Sequence, residues 1–148
     1  KDGKRDGPYK TWHRNGQKEM EATYKDIKPH GLVTNWYENG QKKWEGNYKD
    51  GKQDGLVTEW HENGQKKKEI NFKDGEEDGL TIGWYLNGQK GGESIFKDGK
   101  LISAVAWKPN GEKCPVTNVV NGNGVAVMYN EDGTEASRQT FKDGEVVD

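Results

Sequence analysis

Hydrophobic and polar side chains alternate over short stretches of this chain, and each stretch ends at a turn-forming pair. Residues 56–61 read Leu-Val-Thr-Glu-Trp-His, the period-two pattern of a strand with one buried face. A second alternating stretch runs through Lys68, Ile70 and Phe72. Between the two lies Asn63-Gly64, whose residues tolerate positive φ and favour a hairpin turn. The pattern therefore predicts two antiparallel strands joined by a tight turn.

The same pattern recurs with a period of 24 residues through the first two thirds of the chain. Each period contains a Trp at the same position, an Asn-Gly pair that begins three residues later, and a second aromatic residue twelve residues after that Trp. A period this strict indicates an array of structural repeats, and such arrays usually present binding surfaces. The Trp positions are Trp12, Trp36, Trp60 and Trp84, and the second aromatics are Tyr24, Tyr48, Phe72 and Phe96.

The length of the Asn-Gly turn follows from which side chains must share a face. A two-residue loop splits the apolar residues of one repeat between both faces of the sheet. A three-residue loop of residues 62–64 opposes Trp60 to Lys66 and Leu56 to Ile70, and collects the apolar side chains on one face. We therefore predict a type I turn with a G1 bulge and a left-handed Gly64. The equivalent glycines are Gly16, Gly40 and Gly88.

Together these hairpins predict an all-β fold: an elongated single-layer antiparallel sheet of tandem β-hairpins in a twisted meander. Strands about 4.8 Å apart make such a sheet roughly 45–55 Å wide. The same parity argument predicts an odd-length loop at each Asp-Gly connection. The Trp and Tyr or Phe rings are expected to stack in ladders along one face. The opposite face is expected to be wet and to carry Glu59, His61, Glu69 and Asn71.

The regular array occupies residues 1–100, and the spacing shortens beyond it. Trp107 and Tyr129 begin two further hairpin patterns at intervals of 23 and 22 residues. Residues 119–128 form the most apolar stretch of the chain. Terminal repeats must close an exposed sheet edge, so an atypical composition there predicts a cap. Residues 101–148 are therefore expected to be degenerate repeats that form a C-terminal cap of the same sheet.

Composition narrows the class of protein. Hydrophobic residues make up only 29% of the chain, yet it contains six Trp and six Tyr, which indicates order with little interior rather than disorder. The net charge of −2 argues against a nucleic-acid partner. No apolar run approaches the ~20 residues of a membrane-spanning helix. The chain does not begin with Met, so we expect a fragment or a processed form. Localisation stays open: cytoplasmic, or exported to the cell envelope if an upstream signal was removed.

Candidate chemistry is sparse, and we predict no catalytic, metal-binding or cofactor-binding residues. His13 and His61 occupy a repeat position that elsewhere holds Tyr37 or Tyr85, which favours a half-exposed aromatic position over a metal ligand. Cys114 is the only cysteine and is interpreted as structural. The carboxylates that recur at one position are interpreted as cross-strand partners rather than an enzymatic pair: Glu21, Glu45, Glu69 and Glu93. The chain is therefore not expected to be an enzyme.

The repeat resembles the MORN repeat in its bacterial variant form, through the pattern G-x-x-x-x-W-x-x-N-G followed by Y/F-K-D-G. The stretch Trp36–Lys42, Trp-Tyr-Glu-Asn-Gly-Gln-Lys, is similar to the YwqK-family antitoxins. Two departures stand out. Residues 26–30, Asp-Ile-Lys-Pro-His, replace the usual D-G-K-x-D and are expected to distort one loop. Gly91-Gly92 replaces a charged pair and is expected to weaken one strand.

The resemblance implies a protein-binding repeat module, and in its narrower form an antitoxin or immunity protein that sequesters a toxin. The alternative is a structural or cell-envelope scaffold that self-associates through sheet edges, and membrane-lipid association is a weak third. The aromatic rings either pack on one another as the core or leave an open groove for a protein partner. The candidate protein-binding aromatic face comprises Trp12, Trp36, Trp44, Trp60, Trp84, Tyr24, Tyr48, Phe72 and Phe96.

Overall fold

The computed structural model describes residues 6–147, and in this part of the chain it contains strands and turns but no helix. Accordingly, these residues include no helix that is long and apolar enough to cross a membrane. The strands are β1 (Gly7–Trp12), β2 (Lys18–Lys25), β3 (Lys28–Pro29), β4 (Gly31–Trp36), β5 (Lys42–Lys49), β6 (Lys52–Trp60), β7 (Lys66–Lys73), β8 (Glu76–Trp84), β9 (Lys90–Lys97), β10 (Lys100–Ala106), β11 (Gly124–Tyr129), β12 (Glu135–Lys142) and β13 (Glu145–Val146).

The first ten strands form one antiparallel sheet. Its order is β1-β2-β4-β5-β6-β7-β8-β9-β10, and β3 pairs with β2 beside β4. Each strand thus lies beside its neighbours along the chain, and the sheet is not closed into a barrel. The predicted all-β architecture of consecutive antiparallel hairpins is confirmed.

The Asn-Gly turns have the predicted three-residue loop. The backbone N–H of His61 donates to the carbonyl of Gln65 over 2.8 Å, and that of Gly64 donates to the carbonyl of His61 over 3.0 Å. The φ of Gly64 is 85°, in the left-handed region that glycine adopts without steric cost. The equivalent glycines have φ values between 82° and 85°: Gly16, Gly40 and Gly88.

The register beyond the turn differs from the prediction by one residue. Trp60 pairs with Lys66 as expected, but the pairing then shifts, so that Val57 rather than Leu56 lies opposite Ile70. Lys67 is the extra residue of this β-bulge, and such an insertion reverses the face of every residue that follows. Val57 is consequently 2% exposed and Leu56 is 49% exposed. The predicted place of Leu56 on the buried face is wrong.

The Asp-Gly connections have an even number of residues rather than the predicted odd number. Lys73 pairs with Glu76, so the loop has two residues, Asp74 and Gly75, with φ of 51° and 88°. Two consecutive positive φ values are the geometry of a type I′ turn, which matches the twist of the flanking strands. The predicted odd-length loop is wrong. A second irregularity lies between Ile70 and Phe72: Phe72 pairs with Glu77 and Ile70 with Thr81, so β8 has two extra residues here, and this even number leaves the facing of the strands unchanged.

The predicted distortion of the loop at Asp26 is wrong for the turn itself, because Lys25 pairs with Lys28 as Lys49 pairs with Lys52; the substitution appears as backbone strain and a break in the next strand. Ile27 has a φ of 64°, whereas the equivalent positions of the next loops carry Gly51 and Gly75. A left-handed conformation costs a residue with a Cβ about 1–2 kcal/mol. The strand that is continuous elsewhere is divided here into β3 and β4 at His30, whose N–H donates to the carbonyl of Thr23 over 2.8 Å.

The C-terminal strands do not continue the first sheet. β11, β12 and β13 form a separate three-stranded sheet, so the expectation that residues 101–148 extend the same sheet is correct only for β10. The outer edge of β10 is occupied by the returning chain: Ala104 N–H donates to the carbonyl of Val119 over 3.2 Å, and Cys114 N–H donates to that of Ala106 over 2.8 Å. Because these edge groups are satisfied, a further hairpin has nothing to pair with.

Candidate protein-binding face

The long sheet has two chemically different faces. We call the side of the sheet that includes Val33, Val57 and Ile70 the valine face, since these residues pair across β4 to β7 or lie in register with such pairs. We call the other side the tryptophan face, because strand alternation from the buried Thr34 and Thr58 places the Trp that ends each outgoing strand there.

The predicted aromatic residues are divided between these faces. Trp36 and Trp60 lie on the tryptophan face, as do Trp12 and Trp84 by the same alternation. Tyr48 pairs with Gly31, and Phe72 pairs with Gly55, which places the second aromatics on the valine face. Trp44 belongs there as well, opposite Asn35. The prediction of one shared aromatic face is wrong, because the bulge at Lys67 and its equivalents reverses the parity that the sequence suggests.

The tryptophan rings do not stack on one another. Lysine ammonium groups lie over two of them instead: Lys18 Nζ is 5.0 Å from the ring centroid of Trp36, and Lys42 Nζ is 5.6 Å from that of Trp60. Each such contact contributes about 0.5–1 kcal/mol at an exposed site. Within residues 6–147 no two of the rings of Trp12, Trp36, Trp60 and Trp84 form a stacking pair, so the expected stacking of the Trp rings is wrong.

These lysines are also ion-paired on the same face. Lys18 Nζ is 2.6 Å from a Glu21 carboxylate oxygen, and Lys42 Nζ is 2.7 Å from one of Glu45. Hydrogen bonds from Lys18 and then Lys10 lower the pKa of Glu21. The later repeats repeat the pairing with Lys66–Glu69 and Lys90–Glu93. The recurring glutamates are therefore structural partners, and the charges of this face are satisfied by the chain itself.

The residue after each Trp links one repeat to the next. Tyr37 Oη donates to the carbonyl of Trp60 over 2.7 Å, and His61 Nε2 lies 3.1 Å from the carbonyl oxygen of Trp84. Tyr85 makes the equivalent bond to Trp107. His61 is only 7% exposed, so its expected place on a wet face is wrong. The sequence signal was available: His and Tyr both carry a donor at the far end of the ring, and Phe does not.

The turn asparagines form a second link between repeats. Asn39 Nδ2 donates to the carbonyl of Glu62 over 2.8 Å, and its Oδ1 accepts from the N–H of Gln41 over 3.0 Å. The other three regular repeats make the same pair of bonds: Asn15, Asn63 and Asn87. The turn at Asp132 has an acidic residue, which keeps the acceptor and lacks the donor.

The valine face carries an open groove over β4 to β7. A cavity of about 520 Å³ is lined by Met20, Trp44 and Tyr48, with Lys43 and Lys67 at its polar positions. The rings of Trp44 and Tyr48 lie 6.2 Å apart and are tilted by 48°. Lys43 Nζ lies 5.5 Å from the ring centroid of Tyr37. Of the predicted binding residues, Trp44, Tyr48 and Trp60 line this groove, and Trp84 and Phe96 line a second cavity further along the sheet.

The small C-terminal sheet covers the same face further along. Phe96 of β9 packs with Phe141 of β12 against a buried cluster formed by Leu101, Ala104 and Val119. A second cavity, of about 500 Å³, remains between this sheet and strands β8 and β9. The valine face is therefore uncovered over one part of the sheet and covered by the C-terminal sheet over the adjoining part.

Cys114 belongs to the core of this C-terminal region. It is 2% exposed and packs with Ala106 and Val127. Burial raises the pKa of the Cys114 thiol, but hydrogen bonds from Thr117 and Tyr129 outweigh it and lower the pKa to about 7. The bond to Cys114 raises the pKa of Tyr129 to about 12. A thiol this deeply buried is not accessible to a substrate, which supports the structural interpretation of Cys114.

The described part of the chain holds no cluster of three or more His, Cys, Asp or Glu side chains that could bind a metal ion. In a comparison with known families, the model of the MORN repeat variant matches residues 5–26, 29–50 and 53–74, three repeats in tandem. No curated protein matches the chain. The fourth hairpin pair, β8 and β9, keeps the same register, with Gly79 opposite Phe96 as Gly55 is opposite Phe72.

Proposed function

We propose that this chain is a non-enzymatic repeat module that binds a partner protein on the open part of the valine face, over β4 to β7. The observation that carries the proposal is the groove around Trp44 and Tyr48. It exposes aromatic surface in a concavity, whereas the adjoining part of the same face is covered by the C-terminal sheet. Aromatic residues in a partly enclosed groove are typical anchor points of protein interfaces.

The tryptophan face is the weaker candidate for docking. Its lysines already contact both a Trp ring and a carboxylate, as Lys42 does with Trp60 and Glu45. A partner would have to desolvate or break these ion pairs, which costs more than desolvating an unpaired apolar surface. The valine face has a matching lysine, Lys43, that contacts a ring but forms no ion pair within residues 6–147.

The narrower form of the proposal is that the partner is a toxin, which the chain sequesters as an antitoxin. Its support is the similarity of Trp36–Lys42 to the YwqK antitoxins. An extended sheet face that binds by docking alone is suited to sequestration, because no turnover is required. The scaffold alternative has less support, because the closed edge of β10 prevents the sheet from growing beyond that strand. Lipid association also has less support. It requires an apolar face flanked by unpaired basic residues, and the repeats do not each provide one.

Two adjacent lysines provide the test. Lys42 and Lys43 follow one another in sequence but lie on opposite faces, and each ammonium group lies over one aromatic ring. A partner captured from the native cell and identified by mass spectrometry is to be purified and titrated against Lys43→Glu and Lys42→Glu. We expect Lys43→Glu to weaken binding at least tenfold, about 1.4 kcal/mol, and Lys42→Glu to have less than a threefold effect.

Other results would count against the proposal. Equal affinities of the two variants would show that the partner does not use the valine face. Failure to capture any stoichiometric partner would remove the support for a binding module. For the toxin version, the captured partner should arrest growth when expressed alone, and co-expression of this chain should restore it. A partner with no effect on growth would contradict that version and leave the binding module intact.

A further inference from the structure

Two glycines face each other across β8 and β9 on the valine face. Gly83 pairs with Gly92, and both line the cavity beneath the C-terminal sheet. In the three preceding repeats the same cross-strand positions hold side chains: Thr11 opposite Met20, Asn35 opposite Trp44, and Glu59 opposite Lys68. The fourth repeat therefore has bare backbone where its neighbours carry large residues.

The fold itself does not require either glycine. Neither Gly83 nor Gly92 has a positive φ. A Cβ on Gly83 would have the Lys67 carbonyl as its nearest neighbour at 3.9 Å, and one on Gly92 would lie 3.5 Å from the carbonyl of Val105, both ordinary contacts. By contrast, a Cβ on Gly46 would lie 2.8 Å from a methyl group of Val57. Glycine within a strand weakens it and often marks a place where a ligand or another backbone approaches closely.

The space above the glycines is left open by the chain. The cavity of about 500 Å³ falls in the size range of ligand sites. Four aromatic residues are among those that line it: Tyr85, Phe96, Tyr129 and Phe141. A strand glycine is best covered by an aromatic ring lying flat on its backbone, so an aromatic side chain of a ligand fits this floor.

The charged side chains around the cavity indicate which chemical group of the ligand lies beside its aromatic ring. Lys67 and Lys68 both line it, and neither forms an ion pair within the described residues, although Glu59 is the cross-strand neighbour of Lys68. The cavity's carboxylates already accept hydrogen bonds: Glu131 from the N–H of Leu86, and Glu77 from the hydroxyl of Thr81. A ligand carboxylate would therefore supply the missing partner of the lysines.

Lys67 also lines the groove that contains Trp44, so the two concavities adjoin along one face. The distance from β9 to β5 is four strand spacings, about 19 Å, which an extended chain of about six residues spans. This length and the continuity with the C-terminal sheet, a polypeptide layer on the same face, favour a peptide over a small molecule.

We propose that Gly83 and Gly92 form the floor of an anchor site for an extended segment of a partner protein, which places an aromatic side chain on the two glycines and a neighbouring carboxylate at Lys67 and Lys68. The inference rests on the proposed protein-binding function and adds to it the site and the chemistry of the bound segment. In this view the missing side chains of the fourth repeat make room for the partner's ring.

A phage library of random heptapeptides panned against the intact chain tests the inference. We expect enriched peptides that carry Trp, Tyr or Phe next to Asp or Glu. A synthetic peptide from this set should bind Gly83→Leu at least tenfold more weakly than the unaltered chain. Denaturation of Gly83→Leu should show unchanged or higher stability, since the side chain enters open space. Lys67→Gln should weaken the peptide about fivefold, and Lys66→Gln, on the other face, should leave its affinity unchanged.

Several outcomes would overturn the inference. Panning that enriches no peptide, or peptides without an aromatic and acidic pair, would contradict the proposed chemistry. Equal affinity for Gly83→Leu and the unaltered chain would contradict the site. If the captured native partner binds Gly83→Leu normally but loses affinity for Lys43→Glu, the anchor site is wrong and the binding function stands. If no native partner is captured and no peptide is enriched, both fail.

Discussion

Replacing Ile27 by glycine should stabilise this protein, although it removes a hydrophobic side chain. Ile27 has a φ of 64°, while the equivalent loop residues Gly51, Gly75 and Gly99 have φ values of 81°, 88° and 76°. The left-handed conformation costs a residue with a Cβ about 1–2 kcal/mol, and a β-branched residue lies at the upper end. Ile27 is 59% exposed, so its loss removes little buried apolar area.

The gain is partly offset in the unfolded state. Glycine gives the unfolded chain more conformational freedom, which costs about 0.5–1 kcal/mol on folding. The net expectation for Ile27→Gly is a free energy of unfolding higher by about 1 kcal/mol. In urea, with a slope of about 2–3 kcal/mol per molar for a chain of this size, the midpoint should rise by about 0.3–0.5 M, monitored by Trp fluorescence.

The reverse substitution is the control. Gly99→Ile places a Cβ no closer than 3.8 Å to any neighbour, so it adds backbone strain without a clash. We expect it to lower the free energy of unfolding by about 1 kcal/mol, because the strain is partly offset by the smaller conformational freedom of the unfolded chain. If Ile27→Gly lowers the midpoint at an unchanged slope, or if Gly99→Ile is neutral, backbone strain does not govern these loops and the reasoning fails.

Three further predictions concern the links between repeats and the buried thiol. Tyr85→Phe leaves the Trp107 carbonyl without its donor and should cost about 1–2 kcal/mol of unfolding free energy; a calorimetric midpoint equal to that of the unaltered chain would contradict the link. Asn39→Asp keeps the acceptor but loses the bond to the Glu62 carbonyl, so it should cost about 1 kcal/mol in urea denaturation, whereas Asp132→Asn should be neutral. The pKa of Cys114 is lowered to about 7 in the folded state from an ordinary value near 9, so its contribution to stability is full above pH 9 and is lost as the pH falls through 7. Stability should therefore rise by up to about 1.4 kcal/mol per pH unit between these values; urea midpoints measured across this range for Cys114→Ser should show a flatter profile, and an identical one would refute the assignment.

The Asn-Gly turns were predictable because their requirements are local. Gly64 is left-handed since the Asn-Gly loop demands a positive φ there, and the sequence supplies glycine at the same place in every regular repeat. The hairpin order was equally predictable, because consecutive strands with short turns can only pair with their neighbours. A strict period of 24 residues is therefore enough to predict both the turn conformation and the order of the strands, because neither depends on contacts between distant residues.

The faces of the sheet were not predictable by counting alternate residues. One extra residue at Lys67 moves Leu56 to the surface and buries Val57, and nothing in the local composition marks the bulge. The same bulge made the prediction of the candidate binding face wrong, because the sequence pattern assigned Trp44 and Trp60 to one face. The separate C-terminal sheet depends on pairing between Ala104 and Val119. No pattern in the sequence around either residue predicts this contact.

The β-bulge gives each repeat one position at which the residue type varies independently of the other repeat positions. Trp44 directly follows the extra residue Lys43, and the corresponding residues in the other repeats are Met20, Lys68 and Gly92. At the same time the lysine before each bulge and its glutamate are constant across the four repeats. One surface of the sheet is therefore a fixed framework, while the other varies from repeat to repeat. Mutation can thus change what the array recognises one repeat at a time, without altering the spacing or pairing that builds it.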